Sequence, residues 1–297
     1  MSVQLDNIDK VFFPDAALTK GDLAEYYRRI APLMLPHIRD RPVTVNRFPD
    51  GIYGVHFIQK SVEDHYPDWL ERATVAKENG ELIQPLVNSA DALVYLVGQG
   101  AIAFHVTLSR HDCPEHPDRL IFDLDPPGHG GENDDFAPVV AAARAVRDAL
   151  EAVDLTSFVM TSGSSGLHVT VPLDRRASFD TVREFAQGVA DRVAGAHPDE
   201  FTTAHAKNKR AGRLYLDTRR NGVNQTAVAP YSVRPRPGAP IATPLEWDEL
   251  ADADLGPQRF HIGNIFRRMA QRDCPWLDIA RHGQSAARAL ERLKKID

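Results

Sequence analysis

"RLIFDLDPPGHGG", residues 119–131, places two carboxylates in an otherwise apolar run that is typical of a β-strand. Successive side chains of a strand point to opposite faces, so Asp123 and Asp125 lie side by side on the face of Ile121. The other face carries Leu120, Phe122 and Leu124. Two like charges this close are costly unless a cation lies between them. The stretch therefore predicts a strand whose polar face attracts cations.

The sequence after this strand predicts a regular alternation of strands and helices. The predicted elements are strand 120–125, a helix over about 135–151 with Asp134 and Asp135 at its N-terminus, strand 157–161, strand 167–172, helix 179–194 and strand 213–218. This β-α-β-β-α-β order is the ferredoxin-like arrangement, in which the first strand lies at the centre of the sheet beside the last. Asp217, which shares a strand face with Tyr215, is therefore expected next to Asp123 and Asp125.

Three carboxylates on the exposed face of neighbouring strands have a chemical use. Oxygen ligands suit Mg²⁺ or Mn²⁺, and two such ions about 3.5–4 Å apart can clamp the attacking and leaving oxygens of a phosphoryl displacement. One ion would lower the pKa of a nucleophilic hydroxyl, and the other would carry the charge of the departing phosphate. The same acids could instead cap turns, pair with arginines or face water. The third acid in register favours the two-metal interpretation.

The turn between the two middle strands has features of a phosphate-binding loop. In TSGSSGLHV, residues 161–169, two glycines allow backbone N–H groups to approach an anion, and three serine hydroxyls are available. The residues concerned are Gly163, Gly166, Ser162, Ser164 and Ser165. His168 follows on the next strand. A Gly/Ser turn of this kind is also a common hairpin loop, and that interpretation stays open.

Charge is segregated along the chain. Residues 201–240 contain eight cations and one acid, Asp217, whereas residues 121–160 contain eight acids and two arginines. The cations are Lys207, Lys209, Arg210, Arg213, Arg219, Arg220, Arg234 and Arg236. An acidic metal site flanked by a basic track is what a nucleic-acid enzyme needs, although a solvated loop at 205–213 would show the same lysines.

Composition bounds the class of protein. The chain has 297 residues, 43% hydrophobic content, a formal net charge of −6 and two cysteines, so it predicts a globular protein with free thiols in a reducing compartment. The N-terminus has no basic region followed by an apolar core, and no apolar run is long enough to span a bilayer. We therefore expect a soluble, cytoplasmic, nucleoid-associated protein with no membrane partner.

The N-terminal part predicts a helix and several strands. Thr19 followed by Asp22 indicates a capping box, and the helix is expected to run through Leu33 and to end before Pro36. Between residues 40 and 110, the runs RPVTVNRF, GVHFIQK, DALVYLVG and AIAFHVTL are β-like.

The sequence HDCPEH contains the potential metal ligands His111, Cys113 and His116. Three closely spaced candidates without a CxxC motif indicate a loop with incidental ligand-type residues rather than a zinc site.

Several of these segments together resemble one family. DKVFFPDAALTKGDLAEYY, IFDLDPP, TSGSSGLHV, RLYLDTRRNG and TAVAPYSVRPRPGAPIATPLEWDEL are similar to the polymerase domain of bacterial LigD-type non-homologous end-joining proteins, in the archaeo-eukaryotic primase superfamily. The resemblance implies an α+β fold: a primase-like palm with a ferredoxin/RRM-like βαββαβ core and an elaborated N-terminal α/β part. It also implies one domain over residues 1–297, with the elaboration at about 1–115, the palm core at about 116–240 and a C-terminal helical tail at about 245–297.

The resemblance implies a template-dependent nucleotidyltransferase that uses Mn²⁺ or Mg²⁺ to add NTPs or dNTPs to a primer 3′-hydroxyl and fills gaps at DNA breaks. The implied catalytic and metal-binding residues are Asp123, Asp125 and Asp217. The implied nucleotide-binding residues are His105, Ser162, Ser164, Ser165, His168, Arg220 and Arg234. The implied DNA-binding residues are Arg47, Phe57, which matches an aromatic that stacks on the template base, Arg210, and the pair Lys10 and Lys20, which matches a site for a downstream 5′-phosphate.

The chain departs from the family pattern at two positions. Ser165 stands where many relatives carry a lysine, and Asn46 stands where a basic residue is frequent. No KxDG ligase motif is present, so a sealing activity would come from another polypeptide or from a further part of the protein outside this sequence. The expected partners are gapped or broken DNA with a 5′-phosphate, an NTP or dNTP, a Ku-like protein and a DNA ligase, separate or fused. Two alternatives stay open: a non-catalytic DNA-end binding module of a repair complex, and a two-metal nuclease.

Overall fold

The structure is a computed structural model that describes residues 3–77, 79–126 and 136–296. The chain forms two compact units. The first comprises Met1–Asp112, Thr226–Thr243 and Phe260–Arg272, and the second comprises Cys113–Gln225, Pro244–Arg259 and Asp273–Asp297. The predicted helix start at Asp134 and Asp135 lies outside the described residues.

The first unit contains a four-stranded antiparallel sheet and two small hairpins. Numbered in chain order over the whole protein, its elements are β1 (Val11–Phe13), β2 (Leu18–Thr19), α1 (Lys20–Ile38), β3 (Val43–Arg47), β4 (Phe57–Gln59), β5 (Arg72–Lys77), β6 (Gly80–Pro85), α2 (Ala90–Gly98), β7 (Ala101–Thr107), β13 (Thr226–Val228) and α5 (Ile265–Met269). The large sheet has the order β13-β7-β3-β4, while β1 pairs with β2 and β5 pairs with β6.

Helix α1 begins as the sequence predicts. The Thr19 hydroxyl accepts from the Asp22 backbone N–H at 3.1 Å, and the Asp22 carboxylate accepts from the Thr19 backbone N–H at 2.8 Å, which confirms the capping box. The predicted end before Pro36 is wrong, because the helix continues to Ile38. Pro32 and Pro36 lie on the exposed side, so their missing N–H groups leave the buried side of the helix intact.

The predicted β-run DALVYLVG, residues 91–98, is wrong, because this segment is helix α2. The Ser89 hydroxyl caps the helix by accepting from the Ala92 backbone N–H at 3.2 Å. The buried residues of the run are Ala92, Leu93, Val94, Leu96 and Val97, which recur at helical spacing. A short apolar run is compatible with a buried strand and with a buried helix, so periodicity alone could not separate them. The other three β-like runs correspond to β3, β4 and β7.

The second unit is built on a six-stranded sheet with helices. Its elements are β8 (Arg119–Asp125), α3 (Ala137–Glu151), β9 (Phe158–Thr161), β10 (Leu167–Pro172), α4 (Phe179–Ala196), β11 (Phe201–Thr202), β12 (Leu214–Asp217), β14 (Pro244–Leu245) and α6 (Ala286–Ile296). The strand order is β11-β12-β8-β10-β9-β14. The first and last strands of the predicted alternation, β8 and β12, are therefore neighbours, as the sequence predicts.

Strand β8 has the two faces that its alternation predicts. Leu120, Phe122 and Leu124 are fully buried in the apolar core. The opposite face is less open than expected, because Asp123 is only 5% exposed. The expectation of an exposed carboxylate face is therefore wrong at Asp123, whereas Asp125 is half-buried.

The C-terminal part contains short helical segments before α6. Trp247–Ala251 and Ile279–His282 are 3₁₀ turns, and the Trp276 indole N–H donates to the Val159 carbonyl at 3.1 Å. Within the described ranges, no helix combines the length and the apolar character that crossing a bilayer requires.

Candidate active site

The three predicted carboxylates meet on one face of two paired strands. Antiparallel pairing places Asp217 of β12 opposite Asp123 of β8, and Tyr215 opposite Asp125. Residues directly opposite each other share a face, with Cβ atoms about 4.5–5.5 Å apart in such pairs. The pairing therefore brings together acids from distant parts of the chain.

Asp123 is held by two nitrogen donors. Its Oδ1 lies 3.3 Å from His168 Nε2, and its Oδ2 accepts from Arg220 Nε at 3.3 Å. Burial alone would raise the pKa of Asp123, but His168 and Arg220 together outweigh burial and lower it to about 2. Asp123 is therefore a carboxylate that stays ionised while it is almost fully buried. The other ring nitrogen of His168, Nδ1, is buried and has no hydrogen-bond partner among the described residues.

Asp125 has the opposite electrostatic environment. Burial and the charge of Asp123 raise the pKa of Asp125, and the hydrogen bond that Ser165 Oγ donates to its Oδ1 at 2.8 Å opposes this rise. The charge of Asp125 is thus less well compensated by protein groups than that of Asp123. A cation that binds here would relieve that deficit.

Asp217 is oriented by its own strand and by the turn that follows. Its Oδ1 accepts from the Arg219 backbone N–H at 2.8 Å and from the Tyr215 hydroxyl at 3.3 Å. Burial raises the pKa of Tyr215 to about 12, with the Asp217 charge adding to the effect. Tyr215 therefore keeps its proton and remains a donor to Asp217 at neutral pH.

The side chain of Asn221 extends the β8–β12 pairing beyond the end of β12. Asn221 is fully buried, its Oδ1 accepts from Ile121 N at 2.9 Å, and its Nδ2 donates to Ile121 O at 2.7 Å and to Thr218 O at 2.8 Å. A carboxamide thus supplies the bonds that a further strand residue would make, so residues 219 and 220 leave the sheet. This turn carries the Arg220 side chain to Asp123.

The loop 161–166 is held together by one hydroxyl. Ser162 Oγ accepts from the backbone N–H groups of Ser164, Ser165 and Gly166 at 3.3, 3.2 and 3.0 Å. Gln258 Nε2 donates to the Ser164 carbonyl at 2.9 Å. The N–H groups that the sequence assigns to an anion therefore converge on Ser162, and an anion would have to replace this hydroxyl to use them.

The donor set suits a hard divalent cation, because three carboxylates share one face of a strand pair and offer oxygen ligands. Each carboxylate is nevertheless engaged by protein donors, as described above. In the part of the chain that the structure describes, no group of three or more His, Cys, Asp or Glu side chains is arranged to hold an ion. The residue types and strand register fit Mg²⁺ or Mn²⁺, and binding requires some of these contacts to be exchanged.

The basic loop before β12 contains arginines that bond to the loop backbone and lysines that are exposed to solvent. Arg210 donates to the carbonyls of Ala204 and His205 at 3.3 and 2.9 Å, and its Cζ lies 4.0 Å from the centroid of the Tyr215 ring. Arg213 donates to three backbone carbonyls. Both arginines therefore stabilise the loop, whereas Lys207 and Lys209 are exposed.

The predicted 5′-phosphate pair lies in the first unit. The Lys20 backbone N–H donates to the Lys10 carbonyl at 2.8 Å, so the hairpin of β1 and β2 keeps the two residues adjacent. Lys10 Nζ pairs with Asp50 at 2.5 Å, and Lys20 Nζ donates to the Asp6 carbonyl at 2.9 Å. Burial lowers the pKa of Lys20; the charge of Asp6 opposes this effect and that of Lys10 adds to it.

The other predicted residues of the first unit lie on its four-stranded sheet or after it. Phe57 and Arg47 are cross-strand partners, with the Arg47 Cζ 5.0 Å from the Phe57 ring centroid, and Phe57 is 43% exposed. His105 is half-buried on β7, opposite Thr44. Arg234 is half-buried and belongs to the segment after β13.

The HDCPEH segment shows one contact between potential ligands. Cys113 Sγ lies 3.6 Å from His116 Nδ1, while the His111 backbone N–H donates to the Asp40 carbonyl at 2.8 Å. The interpretation of this segment as an incidental loop stays a prediction.

Sequence reasoning missed three residues that shape this site: Asn221, Gln258 and Tyr215. The Asn-Gly pair at 221–222 indicates a turn, but nothing local indicates that the carboxamide bonds to β8. Tyr215 could have been found, because its alternation with Asp217 was already visible.

The fold and this site define a mixed α/β protein with a cluster of carboxylates on a central strand pair. Residues 19–276 match the family described as "LigD, primase-polymerase domain". The chain belongs to this family, which confirms the resemblance seen in the sequence.

The relatives that are similar to this chain include two end-joining proteins named LigD. The multifunctional non-homologous end joining DNA repair protein LigD of Mycobacterium tuberculosis (strain ATCC 25618 / H37Rv) is 39% identical over 277 residues, which are 91% of this chain and 36% of the relative. The bifunctional non-homologous end joining protein LigD of Bacillus subtilis (strain 168) is 30% identical over 296 residues, which are 99% of this chain and 47% of the relative.

The solved structure is the polymerase domain from Mycobacterium tuberculosis Ligase D in complex with DNA. It superimposes with a TM-score of 0.87 at 36% identity, covering 95% of this chain and 99% of that one. The mixed α/β architecture is thus shared with a polymerase domain, while the chain spans only about a third to a half of the length of these two curated relatives.

The contrast between the two acids of β8 predicts opposite effects on stability. Asp123→Asn should lower the free energy of unfolding at pH 7 by about 2 kcal/mol, because it removes an ionised group whose pKa is depressed. Asp125→Asn should raise it, because it removes a charge that folding disfavours. Urea unfolding in EDTA measures both, and equal destabilisation by the two variants would contradict this account.

The same contrast fixes the pH dependence. The contribution of Asp123 is complete above about pH 4 and is lost as the pH falls toward 2, so the difference between wild type and Asp123→Asn should vanish in that window.

Gly166 is required by a close backbone approach. A Cβ atom there would lie 1.9 Å from the Leu124 carbonyl oxygen, so β8 and the loop would have to separate. Gly166→Ala should cost about 1–3 kcal/mol of unfolding free energy, measured in urea. The control Gly195→Ala lies in helix α4 with no atom within 4 Å of the new Cβ, and it should stabilise by up to about 1 kcal/mol. An unchanged Gly166→Ala protein would contradict the contact.

Asn221→Asp keeps the size of the side chain and removes its donated bonds. The Ile121 and Thr218 carbonyls then face a buried carboxylate, so we expect a loss of about 3 kcal/mol or more in unfolding free energy. Asn208→Asp, on an exposed turn, is the control and should change stability by less than about 0.5 kcal/mol. Similar values for both variants would show that Asn221 does not hold the strand pair.

Proposed function

We propose that this protein is a template-dependent nucleotidyltransferase that adds NTPs or dNTPs to a primer 3′-hydroxyl and fills gaps at DNA breaks in end-joining repair. The observation that carries this proposal is the register that sets Asp217 opposite Asp123, with Asp125 beside it, in a chain of the LigD primase-polymerase family. The proposed fold is one primase-like domain whose second unit contains a ferredoxin-like palm. The strand order β12-β8-β10-β9 supports it, since it sets the first strand beside the last.

Asp123, Asp125 and Asp217 are the proposed ligands of two Mn²⁺ or Mg²⁺ ions. Such ions, when bound, activate the primer hydroxyl and take up the charge of the departing pyrophosphate. The protein's own contribution is to present ionised carboxylates. His168 and Arg220 keep Asp123 charged, Tyr215 and a backbone N–H orient Asp217, and Ser165 lowers the electrostatic cost at Asp125.

The proposed nucleotide-binding groups rest on two kinds of support. In the second unit these are the loop serines, His168 and Arg220, whose positions next to the carboxylates support a role at the triphosphate. His105 and Arg234 belong to the first unit, and their assignment to the nucleotide is supported by the family match alone. Ser165 stands where many relatives carry a lysine, and it donates to Asp125 instead. In this chain, cations at other positions would therefore hold the triphosphate, and Arg220 is the one that contacts Asp123.

The proposed DNA-binding groups differ in whether their side chains are exposed or already bound to other protein groups. Phe57 offers an exposed aromatic surface that accepts any base, and Arg47 backs it. Lys10 and Lys20 are adjacent cations suited to a terminal phosphate, and Lys10 must leave Asp50 to bind it. Arg210 is tied to its own loop, so it acts on DNA through the shape of that loop.

The proposed setting is bacterial end joining in the nucleoid-containing cytoplasm, with a Ku-like end binder and a DNA ligase activity as partners. The relatives are named as multifunctional or bifunctional end-joining proteins, and the solved polymerase domain is described as a complex with DNA. These names support end joining as the setting and DNA as a partner, while the Ku-like protein and the ligase are proposed from the resemblance alone.

One observation favours a second candidate, a non-catalytic module that binds DNA ends. The three carboxylates are all engaged by protein donors, and no ion-binding group of acids is arranged among the described residues. A protein of this kind would use the basic and aromatic groups of the first unit for DNA and the acids for structure only. A nuclease is a weaker alternative with the same metal requirement.

Primer extension on a gapped duplex separates the candidates. Wild-type protein should incorporate nucleotides opposite template with Mn²⁺ or Mg²⁺, and a 5′-phosphate beyond the gap should enhance incorporation. Asp125→Asn should reduce extension by about 10³-fold or more, because it removes a proposed metal ligand. The variant should still fold, because this change is expected to stabilise the protein. Its binding to gapped DNA should be retained.

Three outcomes have distinct meanings. Full extension by Asp125→Asn removes the carboxylates from the reaction. No extension by wild type, together with 5′-phosphate-dependent binding that Lys10→Ala weakens, establishes the binding module. Metal-dependent release of labelled nucleotides without added NTP establishes a nuclease.

A further inference from the structure

The contact between Arg220 and Asp123 joins a buried acid to a partly exposed cation. The Asp123 side chain is 8% exposed, whereas the Arg220 side chain is 45% exposed. One nitrogen, Nε, reaches one carboxylate oxygen at 3.3 Å, and no second guanidinium contact to that carboxylate is formed among the described residues. Strong arginine–carboxylate pairs are shorter and bidentate, so this contact is readily exchanged.

Hydrogen bonds of the flanking residues hold the backbone on both sides of Arg220, whereas a single contact to Asp123 holds its side chain. Asn221 is fully buried, and its carboxamide makes three hydrogen bonds to Ile121 and Thr218. The Arg219 backbone N–H is bonded to Asp217. A release of Arg220 from Asp123 therefore needs rotation of the side chain alone, and the guanidinium stays within reach of the site.

A guanidinium and a divalent cation cannot share Asp123 without repulsion. Both are positive, and both would contact the same carboxylate, whose side chain is only 8% exposed. His168 contacts the other oxygen, Oδ1, and leaves Oδ2 to Arg220. The oxygen that Arg220 occupies is thus the one at which exchange is expected.

We propose that Arg220 is a positioning residue that occupies Asp123 in place of a divalent cation and is displaced when that cation binds. This inference rests on the proposed function, because it takes Asp123, Asp125 and Asp217 as ligands. Arg220 occupies the Oδ2 atom of the buried carboxylate and keeps it in place until the ion arrives. Once displaced, its guanidinium becomes available to the phosphates of a nucleotide, so metal binding and nucleotide binding are coupled through one side chain.

Arg219 is the matched control for this proposal. It is the neighbouring arginine, and its guanidinium makes no ion pair with an acid in the described part of the chain. Loss of either arginine removes one positive charge near the site. Only loss of Arg220 removes a competitor that contacts Asp123, so a difference between the two variants separates direct exchange from the general effect of charge.

The experiment measures Mn²⁺ binding to metal-stripped protein by the electron paramagnetic resonance signal of free Mn²⁺. We expect Arg220→Gln to bind Mn²⁺ about fivefold or more tightly than wild type, and Arg219→Gln to stay within about twofold. Asp125→Asn should lose most of the binding. Thermal unfolding gives a second readout: in EDTA, Arg220→Gln should melt below wild type, and saturating Mn²⁺ should close this gap.

Two results overturn the inference and leave the proposed function standing. One is Mn²⁺ affinity in Arg220→Gln that equals or falls below that of wild type, while Asp125→Asn still abolishes binding. The other is a melting gap that persists at saturating Mn²⁺. Mn²⁺ binding that Asp125→Asn does not affect overturns both the inference and the proposed metal site.

Discussion

Antiparallel pairing between β8 and β12 sets the relative positions of the three carboxylates in the candidate active site of the second unit. The pairing is only a few residues long, and Asp217 lies at its very end. A strand end normally frays, and a frayed end would let the carboxylate move. Asn221 prevents this by bonding to the Ile121 backbone, so the last acid of the site lies within a fully bonded sheet.

The opposite edge of β8 is held in a complementary way. Gly166 lets the loop approach the Leu124 carbonyl more closely than any side chain would allow, and Ser162 gathers the loop's N–H groups. Ser165 can then reach Asp125 from the same loop. Backbone contacts on both sides of one strand therefore decide where its two acids lie, and the acids themselves contribute little to that placement.

Much of the second unit could be predicted from the sequence, because its signals are local and periodic. The alternation in 119–125 and the helix pattern in 179–194 each depend on neighbouring residues, and the β-α-β-β-α-β order restricts the pairing of strands to few choices. The N-terminal part was harder to predict. At α2, a short apolar run was compatible with two structures, and in α1 the prolines lay on the side where they do no harm.

The roles of single side chains were less predictable than the fold. The resemblance assigns Arg220 and Ser165 to a nucleotide, yet both contact a carboxylate. The sequence predicts that the loop N–H groups bind an anion, yet the Ser162 hydroxyl fills that position itself. Such contacts depend on distances across the sheet that no local pattern contains. Asn221 illustrates this limit, since its partner Ile121 is far away in sequence.

The electrostatics of the two neighbouring acids explain why one strand can carry both. Asp123 is compensated by His168 and Arg220, so its charge is stable in a buried position. Burial and the charge of Asp123 raise the pKa of Asp125 in spite of the Ser165 hydrogen bond and the charges of His168 and Arg220. If both acids had arginine partners, a metal ion would gain little by binding; if neither had one, the strand would be hard to fold. Because the donors are divided unevenly, the compensated charge of Asp123 allows the strand to fold. The less compensated charge of Asp125 then favours the binding of a cation, which a metal-dependent site requires.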